Sequence, residues 1–134
     1  MATILLIGGD NDLSNDMAEL FTYAGFQIIG ASDTAQEGVF QARRLQPELI
    51  VVLSTVGLDR SDGLETIHAL LRAAPGSRMI VWSARDNTIY IERVLSVGVS
   101  AYVSKSTAYT DLIEVVNRVA AGETPGFVTN RAHV

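Results

Sequence analysis

Four short apolar runs in this sequence, each typical of a buried strand, lead to the residues that matter most for chemistry. Gly8 and Gly9 follow the first run, Leu53 closes the second, Ser83 follows the third and Lys105 follows the fourth. A hydroxyl and an ammonium group can hold an anion such as a phosphoryl group. Glycine and leucine bring no polar side chain to the ends of the other two runs. The ends of the third and fourth runs therefore offer two groups that could hold an anion.

The apolar runs alternate with segments of helical periodicity. After the first run, Met17, Leu20, Phe21 and Ala24 recur at helical spacing, and Gly25 can end that helix in the left-handed conformation. Such alternation indicates β–α units and a parallel sheet. We expect strands at 3–7, 26–30, 49–53, 79–82 and 101–103, and helices near 14–24, 33–45, 64–71, 88–97 and 110–122.

Five β–α units in this length predict a three-layer α/β/α fold of the flavodoxin-like kind, with a five-stranded parallel sheet in the order 2-1-3-4-5. Right-handed crossovers place helices 1 and 5 on one face and helices 2, 3 and 4 on the other. Ser14, Ser32 or Asp33, and Thr110 are the predicted N-caps of helices 1, 2 and 5. The carboxyl ends of the strands form the edge where such folds bind ligands, and the glycine pair, the leucine, the serine and the lysine all fall there.

Composition predicts one soluble domain. The 134 residues include no cysteine, which excludes disulfides and thiolate metal sites, and carry a net charge of −5 without a basic block. Direct nucleic-acid binding by this segment is therefore not expected. No apolar run approaches the ~18 residues of a membrane span, and no signal peptide is visible, so we expect a cytoplasmic protein away from the membrane. We assign residues 1–122 to the domain and 123–134 to a tail or the start of a linker.

Five stretches, in this order and at this spacing, resemble receiver domains of bacterial response regulators of the NarL/FixJ type. They are Ala2–Ile7, Pro47–Val52, Gly63–Thr66, Gly98–Lys105 and Ala120–Glu123. The resemblance covers residues 2 to about 122 and implies the CheY-like fold together with a role in two-component signal transduction. A matched fold is strong support for architecture and weak support for activity.

The resemblance also assigns positions at the sheet edge. Receivers carry an acidic pair after strand one, a phospho-accepting Asp after strand three, a Ser or Thr after strand four and a Lys after strand five. Here those positions are Gly8 and Gly9, Leu53, Ser83 and Lys105. The resemblance thus implies a degenerate phosphorylation pocket with no catalytic residue, no metal ligand set and no bound Mg²⁺.

Asp10 and Asp12 follow the glycine pair closely, and a register slip of one or two residues would bring an acid into the pocket. A slip of one residue, however, reverses which face each strand residue presents. A bulge at the glycine pair would also restore Asp10, and the pocket would still lack a nucleophile. We expect Lys105 to pair with Asp10 or with a backbone carbonyl, or to extend into solvent. Ser83 is either a reporter of the pocket's state or an ordinary strand-end hydroxyl.

Three tyrosines, Tyr90, Tyr102 and Tyr109, are predicted to mark a switch or interaction face. By the resemblance, Tyr102 matches the mobile aromatic of strand five, and active receivers communicate through helix 4, strand 5 and helix 5. We expect that face, or the helix 1–helix 5 face, to bind a protein partner or a second copy. The same face is expected to include Ile89, Arg93 and Leu112, whereas Trp82 is predicted to be a core residue.

Three functions follow from these features. The leading hypothesis is a phosphorylation-independent pseudo-receiver, an atypical interaction module without enzymatic activity, which would regulate transcription through a helix-turn-helix output domain absent from these residues. The alternative is a small-molecule or anion-binding regulatory domain that uses Lys105. An enzyme, or a working phospho-switch through Ser54, Thr55 or Asp10, is disfavoured because no catalytic triad, paired carboxylate site or complete phosphate loop is visible.

Overall fold

A computed structural model describes residues 2–8, 11–53 and 63–129. Within these ranges strands and helices alternate along the chain. The strands are β1 Thr3–Ile7, β2 Gln27–Ser32, β3 Leu49–Leu53, β4 Arg78–Ser83, β5 Ala101–Ser104 and β6 Gly126–Val128. The helices are α1 Asn11–Tyr23, α2 Ala35–Leu45, α3 Gly63–Ala73, α4 Thr88–Val97 and α5 Tyr109–Ala120.

The strands form one parallel sheet in the order β2-β1-β3-β4-β5-β6. The first five strands have the predicted order, so the flavodoxin-like fold is confirmed. β3 is central and every one of its residues is buried, because helices cover both faces of the sheet. Leu53 pairs with Trp82, and Ser83 pairs with Ser104, which brings the ends of β3, β4 and β5 to one level.

Two apolar clusters lie on opposite faces of the sheet. One contains Met17 and Phe21 of α1 with Val116 of α5, and the other contains Ile67 of α3 with Val94 of α4. The predicted division of the helices between the two faces is therefore confirmed. Alternate residues of the central strands point into the two clusters, as the pleat requires.

Several helix starts differ from the predicted caps. Ser14 lies inside α1, which begins at Asn11, and the cap of α2 is Thr34, whose hydroxyl accepts the Glu37 N–H at 3.2 Å. The Ser32 hydroxyl instead donates to the Thr34 carbonyl, at the end of a strand that continues two residues further than predicted. α5 begins after Ala108, which provides no side-chain cap.

The sixth strand was not predicted. Gly126–Val128 pairs in parallel with β5, so the interpretation of 123–134 as a tail or linker is wrong for these three residues. A run of one glycine and two apolar residues next to Pro125 is too short to show strand periodicity. Phe127 and Val128 favour strands, but only the pairing with β5 makes so short a run recognisable as one.

Candidate functional site

The predicted site residues that the structure describes lie together at the carboxyl edge of the sheet. Gly8 directly follows β1, Leu53 ends β3, Ser83 ends β4 and Lys105 follows β5. The Lys105 N–H donates to the Ser83 carbonyl at 3.0 Å, which joins the ends of β4 and β5. Gly9 and Asp10, together with Ser54 and Thr55, lie outside the described residues, as do the other residues of 54–62.

Gly8 shapes the end of β1. Its φ of 93° is one that side-chain-bearing residues rarely adopt, and its N–H donates to the Ser32 carbonyl at 2.7 Å. Glycine at this position therefore allows a backbone conformation that other residues rarely adopt. It offers no side-chain oxygen to the edge.

Leu53 occupies the equivalent edge position on the central strand. Its side chain is fully buried and belongs to the apolar cluster beneath α1 and α5, with Trp82 beside it on β4. A buried hydrocarbon can neither accept a phosphoryl group nor coordinate a cation. At this position the site is part of the hydrophobic core.

Ser83 and Arg85 organise the turn after β4. The Ser83 side chain is buried, and its hydroxyl oxygen accepts the Arg85 N–H at 3.0 Å. The Arg85 carbonyl accepts the Tyr102 hydroxyl at 2.8 Å, and the Arg85 guanidinium carbon lies 3.7 Å from the centre of the Tyr90 ring. Ser83 is thus tied to the turn that follows it.

Lys105 is the only lysine in the sequence. Its partly exposed side chain places Nζ 5.1 Å from the centre of the Trp82 ring, a distance suited to a cation–π contact. The predicted partner Asp10 lies outside the described residues, and the aromatic contact was not among the predicted arrangements. Tyr109 approaches the same indole with ring centres 6.3 Å apart.

Trp82 is a core residue, as predicted, with an additional polar feature. Among the described residues, its indole Nε1 is buried and has no hydrogen-bond partner. Buried donors are usually paired, so this N–H is an exception. The sequence identified the apolar role of the side chain and could not show where its N–H would lie.

The predicted tyrosine face is only partly exposed. Tyr102 is fully buried and Tyr90 nearly so, with their rings 6.4 Å apart in an edge-to-face arrangement, whereas Tyr109 is half exposed. Leu112 is buried too, while Ile89 is 66% exposed. Tyr90, expected outside the buried stripes of the helices, instead packs inward on Tyr102, because the Asn87 cap sets the start of α4. The assignment of the three tyrosines to a switch or interaction face stays a prediction.

Arg85 and Phe127 are residues that the sequence analysis missed. Arg85 links Ser83 to both buried tyrosines, and the Phe127 ring lies 6.1 Å from that of Tyr102. An arginine in a short loop gives no signal without knowledge of the tertiary fold. Phe127 escaped notice because it lies in the segment taken as a tail.

The described part of the site does not fit Mg²⁺. This cation prefers carboxylate and water oxygens, and the described edge positions of β1 and β3 carry glycine and leucine. Across residues 2–8, 11–53 and 63–129 there is no group of three or more acidic or histidine side chains that could hold a metal ion.

None of the helices in the described ranges is long and apolar enough to span a bilayer.

A family comparison decides the assignment. The profile of the response regulator receiver domain matches residues 4–117. The chain belongs to the response regulator receiver family. It is a receiver module of two-component signal transduction, and receivers of this kind are generally signalling modules without enzymatic activity.

Similar curated proteins agree with this assignment. The response regulator GacA of Pseudomonas viridiflava is 28% identical over 99 residues, which are 74% of this chain and 45% of that protein. The nitrate/nitrite response regulator NarL of Escherichia coli is 28% identical over 123 residues, 91% of this chain and 56% of that protein. This receiver therefore has NarL-like relatives, and it spans about half of their length.

Solved structures share the fold. The isolated receiver domain of RcsB from Salmonella enterica, determined with the phosphomimetic BeF₃⁻, has a TM-score of 0.83 at 16% identity, covering 98% of this chain and 94% of that one. The receiver domain of NarL from Mycobacterium tuberculosis has a TM-score of 0.75 at 17% identity, covering 91% and 98%. At these identities the likeness concerns the fold alone.

Proposed function

We propose that this receiver is atypical and signals without phosphorylation. The observation that carries the proposal is Leu53, a fully buried leucine at the end of the central strand, where the resemblance to receivers places the phospho-accepting aspartate. An aspartyl phosphate needs a carboxylate nucleophile, and no rotamer of leucine provides one.

The described edge positions of β1 and β3 also lack side chains that could bind the metal ion. Phosphoryl transfer to a carboxylate depends on a cation that neutralises the developing charge. Gly8 has no side chain and brings no ligand, and Leu53 brings none from β3. Lys105 and Ser83 alone can hold an anion but cannot generate the nucleophile.

Treatment with acetyl phosphate and Mg²⁺, followed by intact-mass measurement, tests the proposal. We expect no added phosphoryl group, while a receiver with Asp at the β3 position, treated in parallel, gains one. An adduct on this chain would contradict the proposal, and peptide mapping would then identify the accepting residue. Hydroxylamine sensitivity of the adduct separates an acyl phosphate from a serine or threonine phosphate.

The interaction surface is assigned to the side formed by α4, β5 and α5, and the partner is a protein or a second copy of this chain. Ile89 at the start of α4 and Tyr109 at the start of α5 are large exposed apolar residues on these elements. The competing α1–α5 face exposes Tyr23 at the end of α1. Control of transcription through an output domain is part of the same proposal, because the match covers only 45% and 56% of the length of two curated relatives.

Light scattering across a concentration series distinguishes the two faces. We expect the average mass to rise with concentration, and Ile89→Glu or Tyr109→Glu to abolish the rise because each buries a charge at the contact. Tyr23→Glu is the matched control on α1 and should leave the rise intact. If Tyr23→Glu abolishes the rise and the other two variants keep it, the contact lies on the α1–α5 face. A chain that stays monomeric at every concentration and retains no protein partner contradicts both assignments.

Anion binding is the second candidate, favoured by the environment of Lys105. Its ammonium lies against an aromatic ring, and the described residues contain no carboxylate paired with it. Thermal-shift measurements with inorganic phosphate and nucleotides test this candidate. Saturable stabilisation that is lost in Lys105→Ala and kept in Arg93→Ala, an exposed cation on α4, would support it, whereas equal loss in both would show non-specific charge effects.

A further inference from the structure

A groove lies between α5 and the sixth strand, where the sheet extends beyond β5. Val128 of β6 pairs with Val103 of β5 and also packs into the apolar cluster beneath α5. The groove has a volume of about 210 Å³, and Val128 and Thr129 line it from the carboxyl end of β6. Folds of this kind bind ligands at the carboxyl ends of their strands, so the added strand creates a further place for a ligand.

One side of α5 supplies the charged wall of this groove. Asp111, Glu114, Val115 and Arg118 line it at the spacing that places residues on the same side of a helix. Arg118 Nε lies 3.0 Å from a carboxylate oxygen of Glu123, so its charge is already paired. Neither Asp111 nor Glu114 has an ion pair or a side-chain hydrogen bond with another described residue. The unbalanced charge of the groove is therefore negative and favours a cation.

A buried hydroxyl in the same groove provides an independent sign of a ligand. Thr107 lines the groove and is only 4% exposed, and its hydroxyl has no hydrogen-bond partner among the described residues. Buried polar side chains nearly always have a partner. An unpaired hydroxyl in the wall of a groove indicates that the partner comes from a group bound in the groove.

These side chains suit a primary ammonium group. An ammonium carries one positive charge and three N–H donors, and two carboxylates and a hydroxyl provide acceptors for all three. Val115 and Val128 add apolar walls on which a short hydrocarbon stem can pack. The volume is below the roughly 300 to 1,000 Å³ of sites for drug-sized ligands, so the groove fits a small molecule.

We propose that this groove binds a small alkylammonium compound. Asp111, Glu114 and the Thr107 hydroxyl hold the ammonium, and the stem lies between Val115 and Val128. The groove shares no lining residue with the degenerate phosphorylation pocket, so the proposal goes beyond the proposed function and does not depend on it. Because α5 and β6 both line the groove, a bound ligand bridges the two elements.

An NMR titration of the full chain with n-butylammonium chloride at constant ionic strength tests the proposal. We expect saturable shifts of the Thr107, Asp111 and Thr129 amides, while the amides of α2 keep their positions. Tetramethylammonium has the same charge and no N–H donor, and it should bind at least about tenfold more weakly. Methylammonium lacks the stem and should also bind about tenfold more weakly, because three methylene groups lose their partial burial.

Two variants test the residues that hold the ammonium. Thr107→Val and Glu114→Gln each remove one acceptor with little change of shape, and each should weaken n-butylammonium binding by about fivefold. Glu19→Gln is the matched control, since Glu19 is an exposed carboxylate on α1, outside the groove, and it should leave the affinity unchanged. In the free chain Thr107→Val should not lower the melting temperature, because the hydroxyl that it removes has no partner among the described residues.

Three results would overturn the proposal. A lack of saturable shifts would show that the groove binds no ammonium, and equal affinity for n-butylammonium and tetramethylammonium would show only general attraction to a negative surface. A lower melting temperature for Thr107→Val would show that the chain itself already provides the hydroxyl's partner. Phosphorylation by acetyl phosphate would contradict the pseudo-receiver function and leave these binding results unaffected, so the two failures are distinguishable.

Discussion

The two halves of the carboxyl edge differ in what their strand ends do. At the ends of β1 and β3 the structure places Gly8, which has a positive φ, and Leu53, which lies in the hydrophobic core. At the ends of β4 and β5 it places Ser83 and Lys105, both with polar side chains. In the resemblance to receivers, the first half supplies the reactive carboxylates and the second half holds the anion and responds to it.

The two halves therefore correspond to different roles, the first to phosphoryl chemistry and the second to the conformational response. The β4–β5 half has a connected set of contacts, from the Ser83 hydroxyl through Arg85 to the Tyr102 hydroxyl. Such a set can change state under any ligand or partner that binds its two arrangements unequally. On the proposed function, the β4–β5 half would respond to such a ligand or partner without the reactive half.

Leu53→Asp tests the first half of the comparison and should have the largest effect. The substitution buries a carboxyl among apolar side chains, so we expect the free energy of unfolding to fall by about 4 kcal/mol or more. Because a protonated carboxyl is cheaper to bury than a carboxylate, the loss should be larger at about pH 8 than at about pH 5. Urea denaturation at both pH values measures it.

Leu53→Met is the control for this measurement, and it should cost less than about 1.5 kcal/mol because it conserves volume and polarity. A loss below about 1 kcal/mol for Leu53→Asp would mean that residue 53 faces an open, hydrated crevice. The comparison between the two halves would then fail, since the β3 end could carry an acid after all.

The fold was predictable from the sequence because its signals are local and repeated. The fully apolar run Leu49–Leu53 indicated a strand covered on both faces, and the helical spacing of Met17 and Phe21 indicated which side of α1 packs on the sheet. The positions of Ser83 and Lys105 followed from topology, since the ends of parallel strands meet at one edge. These parts of the site needed no knowledge of side-chain contacts.

The contacts within the site could not be predicted. Arg85 gains its role only because two buried tyrosines approach it, and these come from α4 and β5. Tyr90 was misplaced because a single residue of helix rotation decides whether an aromatic at the start of a helix faces inward. β6 was missed because three residues are too few to show a strand pattern, and only the pairing with β5 reveals it.

Tyr102→Phe tests the second half of the comparison at intermediate magnitude. Loss of the hydroxyl removes one buried hydrogen bond to the Arg85 carbonyl, so we expect the free energy of unfolding to fall by about 1 to 2 kcal/mol. Tyr23→Phe is the matched control, because Tyr23 is 94% exposed and should change stability by less than about 0.5 kcal/mol. Equal small effects in the two variants would show that the Tyr102 hydrogen bond adds no more stability than an exposed hydroxyl does. The β4–β5 half would then have no buried polar contact that distinguishes it from the rest of the edge.

Lys105→Met should have the smallest effect, and it tests whether the lysine in the β4–β5 half has a charged partner. The ammonium is partly exposed and lies over one aromatic ring, so its removal should lower the free energy of unfolding by no more than about 1 kcal/mol. Trp82 is the only tryptophan, so its fluorescence should change in Lys105→Met and stay as in the wild type in Arg93→Met, an exposed cation on α4. A loss above about 2 kcal/mol would mean that Lys105 has a buried charged partner, because breaking a buried pair costs far more than losing an exposed cation. The nearest source of that partner would be the ends of β1 and β3, which would then retain an acidic residue that pairs with Lys105. The division of the edge into a reactive half and a responding half would then no longer hold.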